Sequence, residues 1–457
     1  MPTPYTEVTL VTANVGSIFE RPEQILDIWI AAFVEGLVND ESHPAFLALH
    51  CQEVGGKTFG SAMDQVNLFT QKLFSGFKGL GYENFIAFVD PVLETSKFTA
   101  LGSFYFVHKS VADQICIWNF KKAAFEPVPE YAFYAEEDLD LVPTVHKYKF
   151  TQDMTPMHRP SRKGFLRTRW QIHAQEPPIE LVNVHLFHDE SNFMAMQQFP
   201  SMYTESRRNA LQFTLRRIGS DRDDNSEAET TKEPVAFFIF GDFNFRLDLG
   251  AVVSWLSEGT KLQETKSSSG EIIRQEFHEG ASNALPVMGS SEPSGDGNEA
   301  RNEPQKKVLT LEKKLFNIHE DTTRTFFICD LTRKKLLSHD KELEYFSQDL
   351  HEFDIEFPPS YPYSEERSEG ASFGGTRCPA WCDRVLFNEQ AEKLVSEKLG
   401  YHLIGRDVCM GDHKPVVLRV RIGKNGANGP GRLHEETLKT NGDHEERNRD
   451  RDEETVN

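Results

Sequence analysis

The sequence has no run of about eighteen apolar residues, no paired cysteine framework and no excess of positive charge. No segment is therefore predicted to cross a membrane. Its six cysteines, spread over 457 residues, favour reduced thiols in an intracellular compartment. The 50 Lys and Arg against 71 Asp and Glu give a net charge of −21, which argues against non-specific nucleic-acid binding and a polybasic membrane patch. The N-terminal residues carry neither a basic nor an apolar segment, so no secretory signal is expected.

Alternating strand and helix patterns run from residue 5 to residue 422 without a reset, which predicts one α/β catalytic domain. The protein is expected to be a monomer. The 35 Phe residues supply bulky core material. Two stretches are rich in polar residues and Gly: 259–306 is predicted to be a disordered insertion, and 423–457 a disordered acidic tail. Helices are predicted at about 22–38, 202–218, 308–318 and 340–350, and strands at 7–15 and 45–52.

The central stretch is residues 234–248, in which an apolar strand runs into Gly-Asp-Phe-Asn-Phe-Arg. Asp242 and Asn244 follow that strand at a spacing of two, so they are expected to point to the same face at the rim of a sheet. Ligands of α/β proteins bind at such a rim. A carboxylate and an amide suit a hard divalent cation or a water aimed at phosphorus. The alternative is an Asx turn with no chemical role.

Polar side chains also stand at the ends of other predicted elements. They are Asn14, Glu53, His185 with His188, Asp383, and Asp412 with His413. Each alone has a structural alternative, such as a hydrogen-bonded core histidine or a Glu-Gly-Gly turn. Their repeated placement at element ends favours a catalytic site.

The sequence resembles the magnesium-dependent inositol polyphosphate 5-phosphatases over residues 5–422. The resemblance rests on Gly241-Asp-Phe-Asn-Phe-Arg246 and Pro379-Ala-Trp-Cys-Asp-Arg384, with Asn183-Val-His-Leu-Phe-His-Asp189, Gln52-Glu53 and Gly411-Asp-His-Lys-Pro415 in the same order. Nucleases share Glu53, His185 and Asp412-His413, whereas Asp-Arg after Pro-Ala-Trp-Cys is specific to the phosphatases. Phe-Pro-Pro-Ser-Tyr-Pro-Tyr-Ser is most similar to the type I branch, which acts on soluble inositol phosphates.

This resemblance implies the fold of the endonuclease/exonuclease/phosphatase superfamily of DNase I type: a four-layer α/β sandwich with two mixed sheets face to face and helices outside. It also implies a Mg²⁺ site at Glu53, with Asn14 and Asp412 nearby. Asp242 would orient or deprotonate the attacking water, and Asn244 would hold phosphate or water.

The resemblance assigns the remaining catalytic roles to histidines. His413, fixed by Asp383, would contact the scissile phosphate, and His185 would donate to the phosphoryl oxygens. Whether Asp242 or His413 is the base stays open.

Several phosphates on one ring require several cations. The candidate substrate-binding residues are Arg159, Lys163, His188, Arg377, Arg384 and Lys414. The alternatives are a solvated strand face for 159–169 and a structural salt bridge for Arg384; Arg246 is interpreted as structural. Family members that act on lipids often have Tyr-Lys where this chain has Tyr361-Pro362, which favours soluble substrates.

The leading hypothesis is Mg²⁺-dependent removal of the 5-phosphate from inositol 1,4,5-trisphosphate and 1,3,4,5-tetrakisphosphate, which would terminate calcium signalling. The alternatives are a 5-phosphatase acting mainly on phosphoinositide lipids, a nuclease or sphingomyelinase of the same fold, and an inositol-phosphate-binding module without activity. The expected location is the cytoplasm. The chain ends without the prenylated Cys of type I enzymes, so peripheral attachment to the plasma membrane would need a partner.

Overall fold

A computed structural model describes residues 5–38, 43–56, 62–90, 98–173, 176–219, 234–279, 306–319, 327 and 329–423. The predicted disordered tail, apart from residue 423, lies outside the described residues, and so do residues 280–305 of the predicted insertion.

The first sheet contains seven strands and is mixed. In spatial order its strands are β17 (Val395–Leu403), β18 (Val416–Ile422), β1 (Thr6–Asn14), β2 (Phe46–Gln52), β4 (Gly102–His108), β3 (Tyr82–Val89) and β7 (Ala132–Ala135). β1 pairs parallel with β2 and antiparallel with β18, so the first and last strands of the domain are neighbours. The strands predicted at 7–15 and 45–52 are confirmed.

The second sheet also contains seven strands. Its order is β16 (Asp383–Phe387), β11 (Ala236–Asp242), β10 (Ile179–His185), β9 (Gly164–Gln171), β5 (Cys116–Asn119) and β6 (Ala124–Pro127), with β8 (His146–Lys149) paired to β9. The central strand of the sequence motif, β11, is buried along its whole length and lies between β10 and β16.

The two sheets pack face to face and helices cover their outer faces. Leu10 of β1 lies in the core between the sheets together with Trp170 and Phe238. Its neighbour Val11 belongs to the core that contains Trp29, between the first sheet and the helices outside it. Alternating side chains on one strand therefore fill two different layers.

The helices of the described chain are short to medium in length. They are α1 (Gly16–Glu20), α2 (Pro22–Leu37), α3 (Ala62–Lys78), α4 (Asn192–Met196), α5 (Met202–Arg217), α6 (Leu249–Leu256), α7 (Asp330–Leu337) and α8 (Glu389–Leu394). α2 and α3 cover the first sheet, and α5 packs on the second through Ala210 and Leu211. The predicted four-layer sandwich of DNase I type is confirmed, as are the helices predicted at 22–38 and 202–218.

A third, four-stranded antiparallel sheet corrects two predictions. It consists of β12 (Thr260–Lys266), β13 (Ile272–Glu279), β14 (Lys307–Glu312) and β15 (Leu315–Ile318). Residues 260–279 were predicted to be disordered because they are strongly polar, but antiparallel pairing satisfies their backbone and Phe277 anchors them in the core.

The prediction of a helix at 308–318 is wrong, because these residues form strands of the same small sheet. Leu309 and Leu311, like Phe316 and Ile318, are two residues apart, which is the period of a strand. The helix predicted at 340–350 is reduced to a 3₁₀ segment, Glu342–Phe346.

Candidate active site

Three predicted site residues lie side by side at one edge of the second sheet. His185 on β10 is opposite Asp242 on β11, and Asp242 is opposite Asp383 on β16. All three side chains are buried. The register of three neighbouring strands therefore brings together residues that are almost 200 positions apart in the sequence.

The Asp242 carboxylate is fixed from several directions. Asn14 Nδ2 donates to Oδ2 at 3.1 Å, and His185 Nε2 lies 3.2 Å from the same oxygen. The backbone N–H of Asn244 donates to Oδ1 at 2.9 Å. Burial would raise the pKa of Asp242, but His185, His413 and Lys163 outweigh it and hold this pKa well below its usual value. The carboxylate is therefore ionised and oriented.

Asn244 combines an Asx-type turn with a place in the site. Its φ of 52° is in the left-handed region, which asparagine tolerates better than most residues. Its Nδ2 donates to the carbonyl of Leu186 at 3.1 Å, which fixes the side chain beside Asp242. The turn was one alternative for this motif; the structure shows the turn and the cleft position together.

His413 is paired with Asp383, as the sequence predicted. Its Nδ1 lies 2.8 Å from Asp383 Oδ2, and Ser360 Oγ donates to the same oxygen at 2.7 Å. Burial would lower the pKa of His413, but the carboxylates of Asp383 and Asp412 outweigh it and raise the pKa to about 10. The imidazole is therefore charged near neutral pH, and its Nε2–H is available to an anion.

Glu53, Lys163 and His185 form a second group in the cleft. Lys163 Nζ lies 3.8 Å from Glu53 Oε1 and contacts His185 Nε2. Burial would raise the pKa of Glu53, but Lys163, His185 and Arg162 outweigh it and lower the pKa to about 2. Glu53 has φ 59°, a strained backbone conformation for a residue with a side chain, and such strain is concentrated at functional sites.

The predicted metal ligands lie around the start of α1. Asn14 Oδ1 accepts a hydrogen bond from Gly16 N at 3.1 Å, and Asp412 Oδ1 accepts one from Ser17 Oγ at 3.1 Å. A Cβ on Gly16 would lie 2.7 Å from Glu53 Oε2 and 3.4 Å from Asn14 Oδ1. The glycine therefore leaves room for the Glu53 carboxylate.

The charge of these residues fits a hard cation. Burial raises the pKa of Asp412, and the carboxylates of Glu53 and Glu365 reinforce this although His413 opposes it. A cation beside Glu53 and Asp412 would relieve that repulsion, and carboxylate and amide oxygens are the ligands Mg²⁺ prefers.

A second set, Asp242, Asp383 and His413, brings its ligand atoms within 4.8 Å of one another. It fits a metal less well, because the His413 imidazole is protonated and its Nδ1 is held by Asp383. The Glu53 set is therefore the better candidate metal site.

One cleft, with a cavity volume of about 1060 Å³, is lined by all the predicted catalytic and metal-site residues except Asp383, which is fully buried. Seven Lys and Arg side chains line it against six Asp and Glu, although the chain as a whole is strongly acidic. Four predicted substrate-binding residues line the cleft: Arg159, Lys163, His188 and Arg377. The charge of the wall is thus nearly balanced and far less acidic than that of the whole chain, which favours an anionic substrate.

Arg384 and Lys414 correct the predicted substrate-binding set, because neither side chain lines this cleft. Arg384 is buried and its guanidinium pairs with Asp340 at 2.7 Å and with Glu352. It follows Asp383 on β16, and successive strand residues face opposite sides of a sheet. Lys414 Nζ is buried and donates to the carbonyls of Gly370, Gly405 and Val408.

Sequence reasoning missed four cations of the cleft: Arg162, Arg246, Lys313 and Lys314. Arg246, interpreted as structural, donates from Nη2 to Asn244 Oδ1 at 2.8 Å and lies 4.6 Å from the centre of the Tyr361 ring. Its place two residues after Asn244 was the signal that could have identified it. Lys313 and Lys314 also line the cleft, and nothing in their local sequence indicated this.

Comparisons with known proteins identify relatives of the chain. Residues 311–419 match the model of the Endonuclease/Exonuclease/phosphatase family 2. The chain is 40% identical to inositol polyphosphate-5-phosphatase A of Rattus norvegicus, over 94% of this chain and 96% of the relative. It is 33% identical to a protein of Caenorhabditis elegans described as a probable type I inositol 1,4,5-trisphosphate 5-phosphatase, over 90% of this chain and 99% of the relative.

A similar solved structure is the inositol polyphosphate 5-phosphatase domain of SPsynaptojanin in complex with inositol (1,4)-bisphosphate and calcium ion. It is 12% identical with a TM-score of 0.46, covering 92% of this chain and 84% of that one. Among the described residues, no helix is long and apolar enough to cross a membrane.

Proposed function

The chain belongs to the inositol polyphosphate 5-phosphatases, which are phosphoric monoester hydrolases, and from this premise we propose that it removes the 5-phosphate from soluble inositol polyphosphates with the help of Mg²⁺. The proposed substrates are inositol 1,4,5-trisphosphate and inositol 1,3,4,5-tetrakisphosphate. In a cell this reaction would end the calcium signal that the trisphosphate carries. The proposal includes a cytoplasmic, monomeric protein.

The observation that carries the proposal is the row of His185, Asp242 and Asp383 with His413 at its end. Phosphate monoesters hydrolyse extremely slowly without a catalyst, so an enzyme must align a water and neutralise the phosphoryl oxygens. Asp242 is an ionised acceptor held by three donors, which suits it to orient the attacking water.

In this proposal His413 is a proton donor, whereas Asp242 is an acceptor. It is held as an imidazolium by Asp383, so it would donate its Nε2 proton to a phosphoryl oxygen rather than accept a proton from water. This assigns the water-activating role to Asp242. Burial and Lys163 lower the pKa of His185, so this imidazole is neutral near pH 7. The proposed role of His185 is to position Asp242 and the phosphate.

Glu53, Asp412 and Asn14 are the residues proposed to hold Mg²⁺. The bound ion would supply positive charge to the phosphoryl oxygens. The protein contributes a rigid arrangement of these oxygens, because Gly16 N and Ser17 Oγ fix Asn14 and Asp412.

The preference for a soluble substrate rests on two observations. The relative from Caenorhabditis elegans is described as acting on inositol 1,4,5-trisphosphate. In addition, the residue that follows Tyr361 at the cleft wall is Pro362, which carries no charge. The alternative function is that of a 5-phosphatase that acts mainly on phosphoinositide lipids.

The test is phosphate release from inositol 1,4,5-trisphosphate with Mg²⁺ and with EDTA, with identification of the product isomer. We expect Mg²⁺-dependent release and the 1,4-bisphosphate as the product. Parallel reactions contain a short-chain phosphatidylinositol 4,5-bisphosphate or a supercoiled plasmid. Faster turnover of the lipid would favour the alternative lipid 5-phosphatase. Plasmid nicking without phosphate release would contradict the proposal.

A further inference from the structure

The turn between β14 and β15 brings two adjacent lysines, Lys313 and Lys314, to the wall of the catalytic cleft. They belong to the small antiparallel sheet, which lies outside the two main sheets. Neither residue belongs to the group at the carboxyl ends of the central strands.

This turn is held in place by Asn192, the first residue of α4. Asn192 N donates to the carbonyl of Lys313 at 3.0 Å, and its Nδ2 donates to the carbonyls of Glu312 and Leu315, each at 3.1 Å. Asn192 is only 1% exposed, so these bonds are shielded from water. The position of the turn relative to the cleft is therefore fixed.

A second contact joins the turn to the loop that carries Arg377. Phe316 N donates to the carbonyl of Gly375 at 2.8 Å, and Asn192 Nδ2 lies 3.4 Å from the carbonyl of Thr376. Lys313, Lys314 and Arg377 consequently line the same cleft from two segments that are bonded to each other.

The two lysines differ from the other cations of the cleft because their side chains have no hydrogen-bond or ion-pair partner among the described residues. Arg159 pairs with Glu190 at 3.0 Å, Lys163 lies near Glu53, and Arg377 donates to the carbonyl of Asp189. Lys313 and Lys314 are exposed, and in the part of the chain that the structure describes neither forms an ion pair. Their full charge is therefore available to a ligand.

We propose that Lys313 and Lys314 bind a ring phosphate of the substrate other than the 5-phosphate, and so favour inositols that carry several phosphates. The proposal rests on the proposed function. A phosphate monoester has a charge of about −1.5 to −2 near pH 7, and a lysine ammonium binds it as a point charge. Because the lysines lie on a turn of the small sheet and not in the reacting row, they should strengthen substrate binding and leave the chemical step unchanged.

The test compares the wild type with the double variant Lys313→Gln/Lys314→Gln in steady-state hydrolysis of inositol 1,4,5-trisphosphate. We expect KM to rise about tenfold, with kcat unchanged, because two exposed charge contacts are lost. KM of the wild type should also rise more steeply with KCl concentration than KM of the variant, because salt screens exposed charges. The conservative variant Lys313→Arg/Lys314→Arg should keep the wild-type KM.

The matched control is Lys334→Gln/Lys335→Gln, an adjacent pair of exposed lysines on α7 that does not line the cleft. It removes the same net charge and should leave KM unchanged. A KM of Lys313→Gln/Lys314→Gln equal to that of this control would overturn the inference, as would a fall in kcat alone. If the wild type hydrolyses the substrate and its KM equals that of Lys313→Gln/Lys314→Gln, only the role of the lysines is refuted. If the wild type does not hydrolyse the substrate, the proposed function is refuted.

The same variants are then measured on short-chain phosphatidylinositol 4,5-bisphosphate. A KM increase confined to the soluble substrate would assign the lysines to the 1-phosphate, which is a diester in the lipid. An equal increase on both substrates would assign them to the 4-phosphate. An unchanged KM for both substrates would refute the binding role.

Discussion

Gly16→Ala is the sharpest test of the proposed metal site, because it displaces the carboxylate of Glu53, a proposed ligand, without replacing any of the proposed ligands. The added Cβ would lie 2.7 Å from Glu53 Oε2 and 3.3 Å from Glu53 Cβ. An ordinary contact needs about 3.4 Å, so the carboxylate must move by about 0.7 Å. The backbone of Gly16 is not in the left-handed region, so alanine causes no conformational strain there.

The consequence follows from the chemistry of Mg²⁺. This ion demands near-ideal octahedral geometry, with ligand oxygens about 2.0–2.1 Å away. A displacement of the Glu53 carboxylate by about 0.7 Å is therefore large compared with the length of a bond between Mg²⁺ and oxygen. Residues that orient metal ligands typically change metal affinity by about 10- to 100-fold when mutated, and we expect an effect of that size.

The assay is a Mg²⁺ titration of inositol 1,4,5-trisphosphate hydrolysis at saturating substrate. The half-saturating Mg²⁺ concentration of Gly16→Ala should rise about tenfold or more, and excess Mg²⁺ should restore part of the rate. The melting temperature should stay close to that of the wild type, since the clash falls on the end of a side chain.

Gly79→Ala is the matched control, because a Cβ at this exposed glycine after α3 would have nothing within 4 Å. Its Mg²⁺ titration should coincide with that of the wild type. If Gly16→Ala also has an unchanged titration, Glu53 is not a metal ligand and the reasoning is refuted.

Two further predictions concern Asp242 and Arg384. Asp242→Asn should lower kcat by about 10²- to 10⁴-fold without lowering the melting temperature, and near-normal turnover would contradict its role toward the attacking water. Arg384→Met should lower the free energy of unfolding by about 3–5 kcal/mol, measured by urea denaturation, because Asp340 and Glu352 are left buried without their partner. The KM of its folded fraction should be unchanged; a raised KM with normal stability would show that Arg384 binds substrate after all.

Much of the site could be predicted because its residues end strands. The period-two alternation and the turn residues identify strand ends, and parallel strands end at a common edge. Asp242 and His185 were predicted on this basis. Asp383 is the first residue of β16, which runs antiparallel to β11, so it reaches the same edge and completes the row. The pairing of His413 with Asp383, which the family resemblance implied, is also present.

The small sheet was not predicted, because its strands are stabilised by partners that are distant in sequence. β12 is almost entirely exposed and polar, and composition alone cannot distinguish such a strand from a disordered segment. Its pairing with β13, and that of β13 with β14, provides the stabilisation.

The sequence by itself therefore determined that candidate site residues such as His185 and Asp242 stand at strand ends, because strand ends are a consequence of local periodicity. Only the tertiary structure decided which cations face the cleft. Arg384 and Lys414 are each next to a site residue but point to buried carboxylates or carbonyls. Lys313 and Lys314 reach the cleft because Asn192, more than a hundred residues earlier, holds their turn. The direction of a long charged side chain depends on such distant partners, and local sequence does not specify them.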